Sequence, residues 1–302
     1  MTTGAGSGVT AAGRAALVAE VLLAAVLLAA ATLVALAAAR HAGSRLPAGI
    51  SAGNAAGKAA GNAASKAVGK ATGNPVMFAP SFAGPDRLLT NEFAHWNPGD
   101  KRAVISPDWD VTSGSLFIRD AAGWSGVPDT RAVDATSSTG THSSVFRMTT
   151  RRRDFRDVAV SLRVRDFGLA APGVTAPAEV DGIHLFLRYQ TPDRLYVVSL
   201  NRRDNQIVIK KKLPGGPTAG GTYVTLGHTP YVVPYGAWQS FTVRITGGRG
   251  RPVQIWVAVG ARDVLAVSDG GIGGPAIVSP GAVGLRGDYC EFEFRDFRVE
   301  RA

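Results

Sequence analysis

Cysteine is almost missing from this chain: Cys290 is the single one in 302 residues, so no internal disulfide can form. Export is not thereby excluded, because disulfides are needed chiefly by domains too small to build a core. Aromatic residues are missing from residues 1–76, and only Phe78 and Phe82 precede residue 90. The information for a packed interior therefore lies in the last three-quarters of the chain, which is long enough to bury a substantial core. Beyond residue 77 there is no amphipathic stretch of helical period and length, which excludes a helical domain. Zinc-ligand spacings, basic helices and aromatic RNA-binding signatures are also lacking, so no nucleic-acid partner is expected.

What charge there is divides evenly. The formal net charge is +10, and residues 1–76 carry Arg14, Arg40, Arg45, Lys58, Lys66 and Lys70 against Glu20 alone. Half of the excess thus belongs to the leader and linker, leaving a mildly basic domain that suits anionic polymers in general.

Residues 1–14 read as a cytoplasmic stub. From Ala15 to Ala39 the chain is apolar apart from Glu20 and Thr32. Val21 to Ala39 approaches the roughly 20 residues needed to cross a bilayer as a helix. Ala37-Ala38-Ala39 before Arg40 also fits a signal-peptidase site. Membrane anchor and cleaved signal peptide both remain open, and both place the following chain outside the cytoplasm. Arg40, His41 and Arg45 oppose that topology by the positive-inside rule. Residues 40–76 repeat Ala-Gly-Asn and Gly-Lys and read as a spacer.

Residues 77–302 change to a period of two. Val158, Val160, Leu162 and Val164 alternate with Ala159, Ser161, Arg163 and Arg165, and segments such as 183–189, 195–201, 207–212 and 253–259 read alike. Short strands separated by Gly, Pro, Asp and Asn turns predict an all-β sandwich. Cys290 alternates with Phe292 and Phe294 and is expected to point inward.

Register extends the reading. A tight turn at Asp204-Asn205 pairs Ser199 with Lys210, and a turn at Thr191–Arg194 pairs Tyr189 with Tyr196 and His184 with Asn201. One face then collects Ile183, Leu185, Leu187, Tyr189, Tyr196, Val198, Leu200 and Ile209. The other collects His184, Phe186, Arg188, Gln190, Ser199, Asn201, Lys210 and Lys212. Such donors suit sugar hydroxyls and carboxylates; a merely solvated face is the alternative. Trp124, Tyr223, Tyr231 and Tyr235 fall in loop-like stretches where rings could stack on sugars, while Trp238 and Trp256 read as core. Arg286-Gly287-Asp288 reads as a turn before the last strand, and Gly270–Gly274 as a loop.

The stretches WDVTSGSLFIRD (Trp109–Asp120), DGIHLFLRYQ (Asp181–Gln190), LYVVSLNRRDNQIVIKKK (Leu195–Lys212) and YGAWQSFTVRI (Tyr235–Ile245) carry a resemblance. So does SDGGIGGPAIVSPGAVGLRGDYCEFEFRDFRV (Ser268–Val299). Together they resemble the concanavalin A-like lectin/glucanase superfamily, and within it a group of exported actinobacterial domains. The resemblance implies a two-sheet antiparallel jelly roll with ligands on its concave face, and a structural calcium near Asp296 in some members. The Glu-x-Asp-x-Glu of its hydrolases is absent, although Glu291 and Glu293, like Asp108 and Asp110, share a strand face. The Tyr-x-Lys-x-Gly-x-Tyr of its best-known lyases is absent as well.

The expected function is a non-catalytic, extracellular or cell-surface module binding an acidic or wall polysaccharide. Its contacts would be His184, Arg188, Gln190, Asn201, Lys210, Lys212 and Tyr223, and it would need no cofactor beyond an optional structural calcium. A membrane partner is expected only if the leading helix is uncleaved. A polysaccharide lyase or glycoside hydrolase on the same fold, or a structural or adhesion domain, are the alternatives.

Overall fold

A computed structural model describes residues 74–129, 144–170 and 176–302. The chain divides into units 1–70 and 71–302, and the expected stub, hydrophobic helix and linker up to residue 73 lie outside the described residues. No helix among the described residues is long and apolar enough to cross a membrane.

Among the described residues sixteen strands, numbered in chain order, form two antiparallel sheets. The nine-stranded sheet runs β14 (Arg262–Asp269), β13 (Val253–Val259), β12 (Trp238–Gly247), β7 (Val158–Leu169), β16 (Cys290–Arg301), β5 (Ala122–Trp124), β4 (Ser115–Arg119) and β2 (Arg87–Asn91). β1 (Val76–Phe78) adds to β16 off this path. The seven-stranded sheet runs β11 (Gly221–Pro230), β10 (Gln206–Thr218), β9 (Arg194–Arg202), β8 (Gly182–Thr191), β15 (Ala282–Asp288), β6 (Val145–Thr150) and β3 (Trp109–Ser113). A short helix, α1 (Phe93–Trp96), lies between β2 and β3.

Alternation explains the interior. Along β7, Val158, Val160, Leu162 and Val164 are buried and the residues between them face out, because successive side chains leave a strand on opposite faces. They meet Leu185, Leu187, Tyr196, Val198 and Ile209 from the other sheet in one core cluster. Trp109 packs edge-on against Phe78 and Phe297, with ring centroids 5.4 and 5.2 Å away. Cys290 is buried beside Phe292 and Phe294, as expected.

One core-facing residue is a cation. Lys211 lies between the outward Lys210 and Lys212 and is fully buried. Its Nζ donates to Asp269 Oδ1 (3.0 Å), Asp269 Oδ2 (2.9 Å) and the Gly274 carbonyl (2.8 Å). Tyr196 completes the group by donating to Asp269 Oδ2 at 2.6 Å and accepting from Ile277 N. The Gly270–Gly274 segment is a loop, and its Gly271 and Ile272 N–H groups donate to Asp269 Oδ1. Burial pushes the Asp269 carboxyl up, but the hydrogen bonds from Tyr196 and Lys211 outweigh it and hold the group below its ordinary value.

Lys211→Ala leaves Asp269 buried without its counter-charge and is expected to lower the unfolding free energy by about 3–5 kcal/mol. Denaturant titration measures this. Because the Asp269 pKa is depressed in the folded state, the pair's contribution is complete above about pH 4 and disappears as pH falls through the folded value. The mutant should therefore lose less stability on acidification than the parent.

Candidate functional site

Two bulges decide which side chains reach the outer face of the seven-stranded sheet. The β8–β9 hairpin turns at Pro192 and Asp193, with Thr191 opposite Arg194. Leu187 then pairs with Tyr196, so Arg188, Tyr189 and Gln190 together oppose Leu195. Arg188 takes the left-handed conformation (φ 45°) that such a bulge requires. The alternation reverses there. Arg188 turns inward, and Tyr189 emerges beside Phe186, their rings stacked at 5.5 Å. Gly281 makes room for the bulge, since a Cβ there would meet the Arg188 backbone carbon at 2.4 Å.

Arg188 therefore does not face the groove, which corrects the face assigned to it from sequence. Its guanidinium donates to the carbonyls of Arg156 (2.9 Å), Ile277 (2.7 Å) and Gly247 (3.0 Å) and to Asp157 Oδ1 (3.1 Å). Asn201 is a second correction. A shift in β9 sets Asn201 opposite Ile183 and Ser199 opposite His184, so Asn201 points between the sheets and donates to Asp166 Oδ2 at 3.2 Å. Gln190 sits at the end of the bulge, its amide 3.4 Å from the Ser279 carbonyl.

The β9–β10 register is displaced by two residues from the expectation, with Ser199 opposite Val208 and Lys210 opposite Val197. The turn is centred on Arg203 and Asp204, followed by Asn205 in the left-handed region (φ 57°). A shift of two keeps every side chain on its face. Lys210 and Lys212 hence remain outward.

His184, Lys210, Lys212 and Tyr223 come together. They line a cavity of about 340 Å³ on the outer face of the sheet, with Ser199 and Phe186 on its floor. Phe186 and Val197 belong to a second apolar cluster with Tyr189, Leu195 and Ala282, against which Tyr223 packs. Lys210 Nζ lies 5.7 Å and Lys212 Nζ 5.1 Å from the Tyr223 ring centre, within reach of its negative face. Lys212 also donates to the Pro192 carbonyl at 3.0 Å.

Sequence reasoning missed Arg286, Asp288 and Arg147. Arg286 and Asp288 are not in a turn but in β15, two residues apart and hence on one face, and both line the cavity. Arg147 of β6 stands directly across from Arg286, which stands across from His184, which stands across from Ser199. A row of polar residues thus crosses four strands. Within it, His184 Nδ1 is 2.8 Å from Ser199 Oγ, His184 Nε2 is 3.1 Å from Asp288 Oδ2, and Arg286 Nε donates to Asp288 Oδ1 at 2.7 Å. Arg-x-Asp within a period-two segment was the available signal.

Burial pushes the Lys210 ammonium down to about 8, with Arg202 adding repulsion. Burial also lowers His184, partly offset by Asp288. Asp288 would rise on burial, but Arg286 and His184 hold it well below the usual carboxylate range. Among the described residues Lys210 and Arg147 make no ion pair or hydrogen bond through their charged groups.

The nine-stranded sheet carries the acidic pairs. Glu293 is buried and accepts from Arg119 Nε (2.6 Å) and Arg165 Nη2 (2.5 Å), while Glu291 accepts from Arg119 Nη1 (3.1 Å) and Trp124 Nε1 (2.9 Å). Both are engaged by arginines on a different sheet from the groove. Trp124 and Trp238 also lie there, with Arg119 and Arg295 stacked on them at 4.0 and 4.2 Å. Trp238 is thus half-buried on an outer face rather than in the core. Asp110 is bonded to His95 at 2.9 Å. Asp296 sits beside Arg163 (3.9 Å) in a depression that Arg295 also lines, and no group of three His, Cys, Asp or Glu among the described residues could hold a metal ion. A cation-rich setting is a poor one for calcium, whose ligands are carboxylate and carbonyl oxygens.

Two antiparallel sheets enclosing one core define an all-β sandwich. No family model and no curated protein matches the chain. Among solved structures it is similar to a carbohydrate-binding module, CBM66, from Bacillus subtilis, at 10% identity and a TM-score of 0.42, over 64% of this chain and 94% of that one. It is similar to a Bacillus subtilis protein of galectin-like fold at 12% identity and a TM-score of 0.45, over 64% and 89%. The exoplasmic/lumenal domain of VIP36 is similar at 12% identity and a TM-score of 0.43, over 71% and 87%. These are likenesses of fold, and no ligand or reaction follows from them.

Arg188 and Lys210 should behave oppositely on truncation. Arg188→Ala takes the donors from three carbonyls while Asp157 keeps Arg156 and Gly247 N, and is expected to cost about 2–3 kcal/mol of stability, whereas Lys210→Ala removes an unpartnered, part-buried cation and should cost none. Paired thermal melts read the difference.

Proposed function

We propose that the groove on the seven-stranded sheet binds an acidic glycan. The observation that carries this is a charge imbalance around an aromatic floor. Arg147, Arg286, Lys210 and Lys212 share one face with the rings of Phe186, Tyr189 and Tyr223. The one carboxylate lining the cavity, Asp288, is already held by Arg286 and His184. Cations left without partners in a part-buried site are costly unless a ligand supplies the anion. Rings and aliphatic side chains suit the apolar faces of sugars, while guanidinium and ammonium groups suit carboxylate or sulfate substituents. The site belongs outside the cytoplasm, where the hydrophobic segment 15–39 would deliver it as a membrane-anchored or secreted module.

Calorimetry with uronate and sulfated polysaccharides, against neutral glucans as controls, tests the proposal. Binding confined to the acidic polymers is expected, weakened about 10- to 100-fold by Lys210→Ala or Arg286→Ala, the range of a charge-assisted hydrogen bond. Equal affinity for neutral glucans, or unaltered binding in both variants, refutes it. The pH response has a definite sign. Lys210 is charged below about pH 8 and neutral above it, so affinity should fall as pH rises through that value and the fall should be missing in Lys210→Ala.

A further inference from the structure

We propose that Ser199, His184 and Asp288 form a nucleophile–base–carboxylate triad that hydrolyses carboxylic esters presented in the groove. The three residues come from adjacent strands, β9, β8 and β15, and face the same cavity. Their hydrogen bonds run in one chain: Ser199 Oγ to His184 Nδ1 at 2.8 Å, and His184 Nε2 to Asp288 Oδ2 at 3.1 Å. Asp288 is acceptor-only, so the Nε2 proton points at it. Nδ1 is then left with a lone pair directed at the serine hydroxyl. Arg286 Nε donates to the other Asp288 oxygen at 2.7 Å and fixes the carboxylate. A hydroxyl bonded to an imidazole that a carboxylate orients is the arrangement that activates serine, and it is recognised by geometry and roles rather than by fold or chain order.

Burial keeps His184 neutral, the form a general base needs, and the surrounding cations keep Asp288 ionised. Ser199 and His184 are buried yet both line the cavity. Lys210 lines the same wall without an anionic partner. It supplies positive charge to an oxyanion where backbone N–H groups of the flanking strands are committed to the sheet.

The reaction balances without a cofactor. Ser199 Oγ bonds to the acyl carbon as its proton passes to His184 Nδ1. The ester C–O bond then breaks, and the leaving alkoxide takes that proton from His184. Water adds to the acyl-serine, giving its proton to His184, and the Oγ–acyl bond breaks as Ser199 regains a proton. Ester and water become acid and alcohol. The substrate class rests on the binding proposal above: an acidic sugar carrying an O-acyl group would set its anion on the cations and its ester at Ser199. The triad itself does not need that reading.

The experiment keeps the two separate. The full chain is assayed with p-nitrophenyl acetate, a small neutral ester, and treated with a fluorophosphonate reagent followed by peptide mapping. Hydrolysis is expected to fall about 100- to 10,000-fold in Ser199→Ala, the contribution of a positioned base and its nucleophile. His184→Gln should fall comparably, Asp288→Asn should fall with an altered pH profile, and the reagent should mark Ser199. Activity of the parent should rise with pH through a His184 value below 6.5, as deprotonation frees the base. Ser199→Ala removes only a hydroxyl, and labelling is read on the parent, so neither result depends on a damaged fold. Hydrolysis indistinguishable from Ser199→Ala together with an unlabelled Ser199 overturns the triad, whatever the groove binds. Ser199-dependent ester hydrolysis in a parent that binds no acidic polysaccharide would instead uphold the triad and overturn the binding proposal.

Discussion

The inward turn of the Arg188 guanidinium is the constraint on which the groove depends. Four acceptors, from the Arg156–Asp157 segment, Gly247 and Ile277, converge on it. A β-strand that kept its alternation would deliver Arg188 to solvent and Tyr189 to the core. Three residues of β8 set against one of β9 reverse that order. The left-handed backbone at Arg188 costs on the order of 1–3 kcal/mol, and the guanidinium's hydrogen bonds offset it. The Tyr189 ring is thereby placed against Phe186, which lines the cavity, and the nine-stranded sheet is tied to the bulge that supports it.

Charge is handled in opposite ways on the two outer faces. On the nine-stranded sheet, Glu291 and Glu293 are bracketed by Arg119 and Arg165, whose planes lie against Trp124, Phe167 and Trp238. Both of these carboxylates are thus held by arginines. On the seven-stranded sheet the single lining carboxylate is shared between His184 and Arg286 while other cations stand open.

The two sheets and most of the polar face were legible because a period of two is a global property of a strand. His184, Phe186, Ser199, Lys210 and Lys212 kept their side even though both hairpin registers slipped by two residues. What escaped was local. Nothing in the string Leu-Arg-Tyr-Gln marks a three-against-one bulge, whose cause is a set of carbonyls distant in sequence. Asn201 moved inward for the same kind of reason. Lys211 betrayed its burial only through its phase between Lys210 and Lys212, since its partner Asp269 is 58 residues away. Arg286-Gly287-Asp288 looked like a turn because of its glycine; the turn lies just beyond, where Tyr289 takes a positive φ of 49°.

β1 and β16 give the domain a polarity of presentation. Arg301 N donates to the Pro75 carbonyl at 3.0 Å, and β1 lies along β16. The chain therefore enters and leaves the described domain at neighbouring points on the nine-stranded sheet, whereas the groove opens on the outer face of the seven-stranded one. The two ends of the described domain thus lie side by side on the sheet that does not carry the cavity.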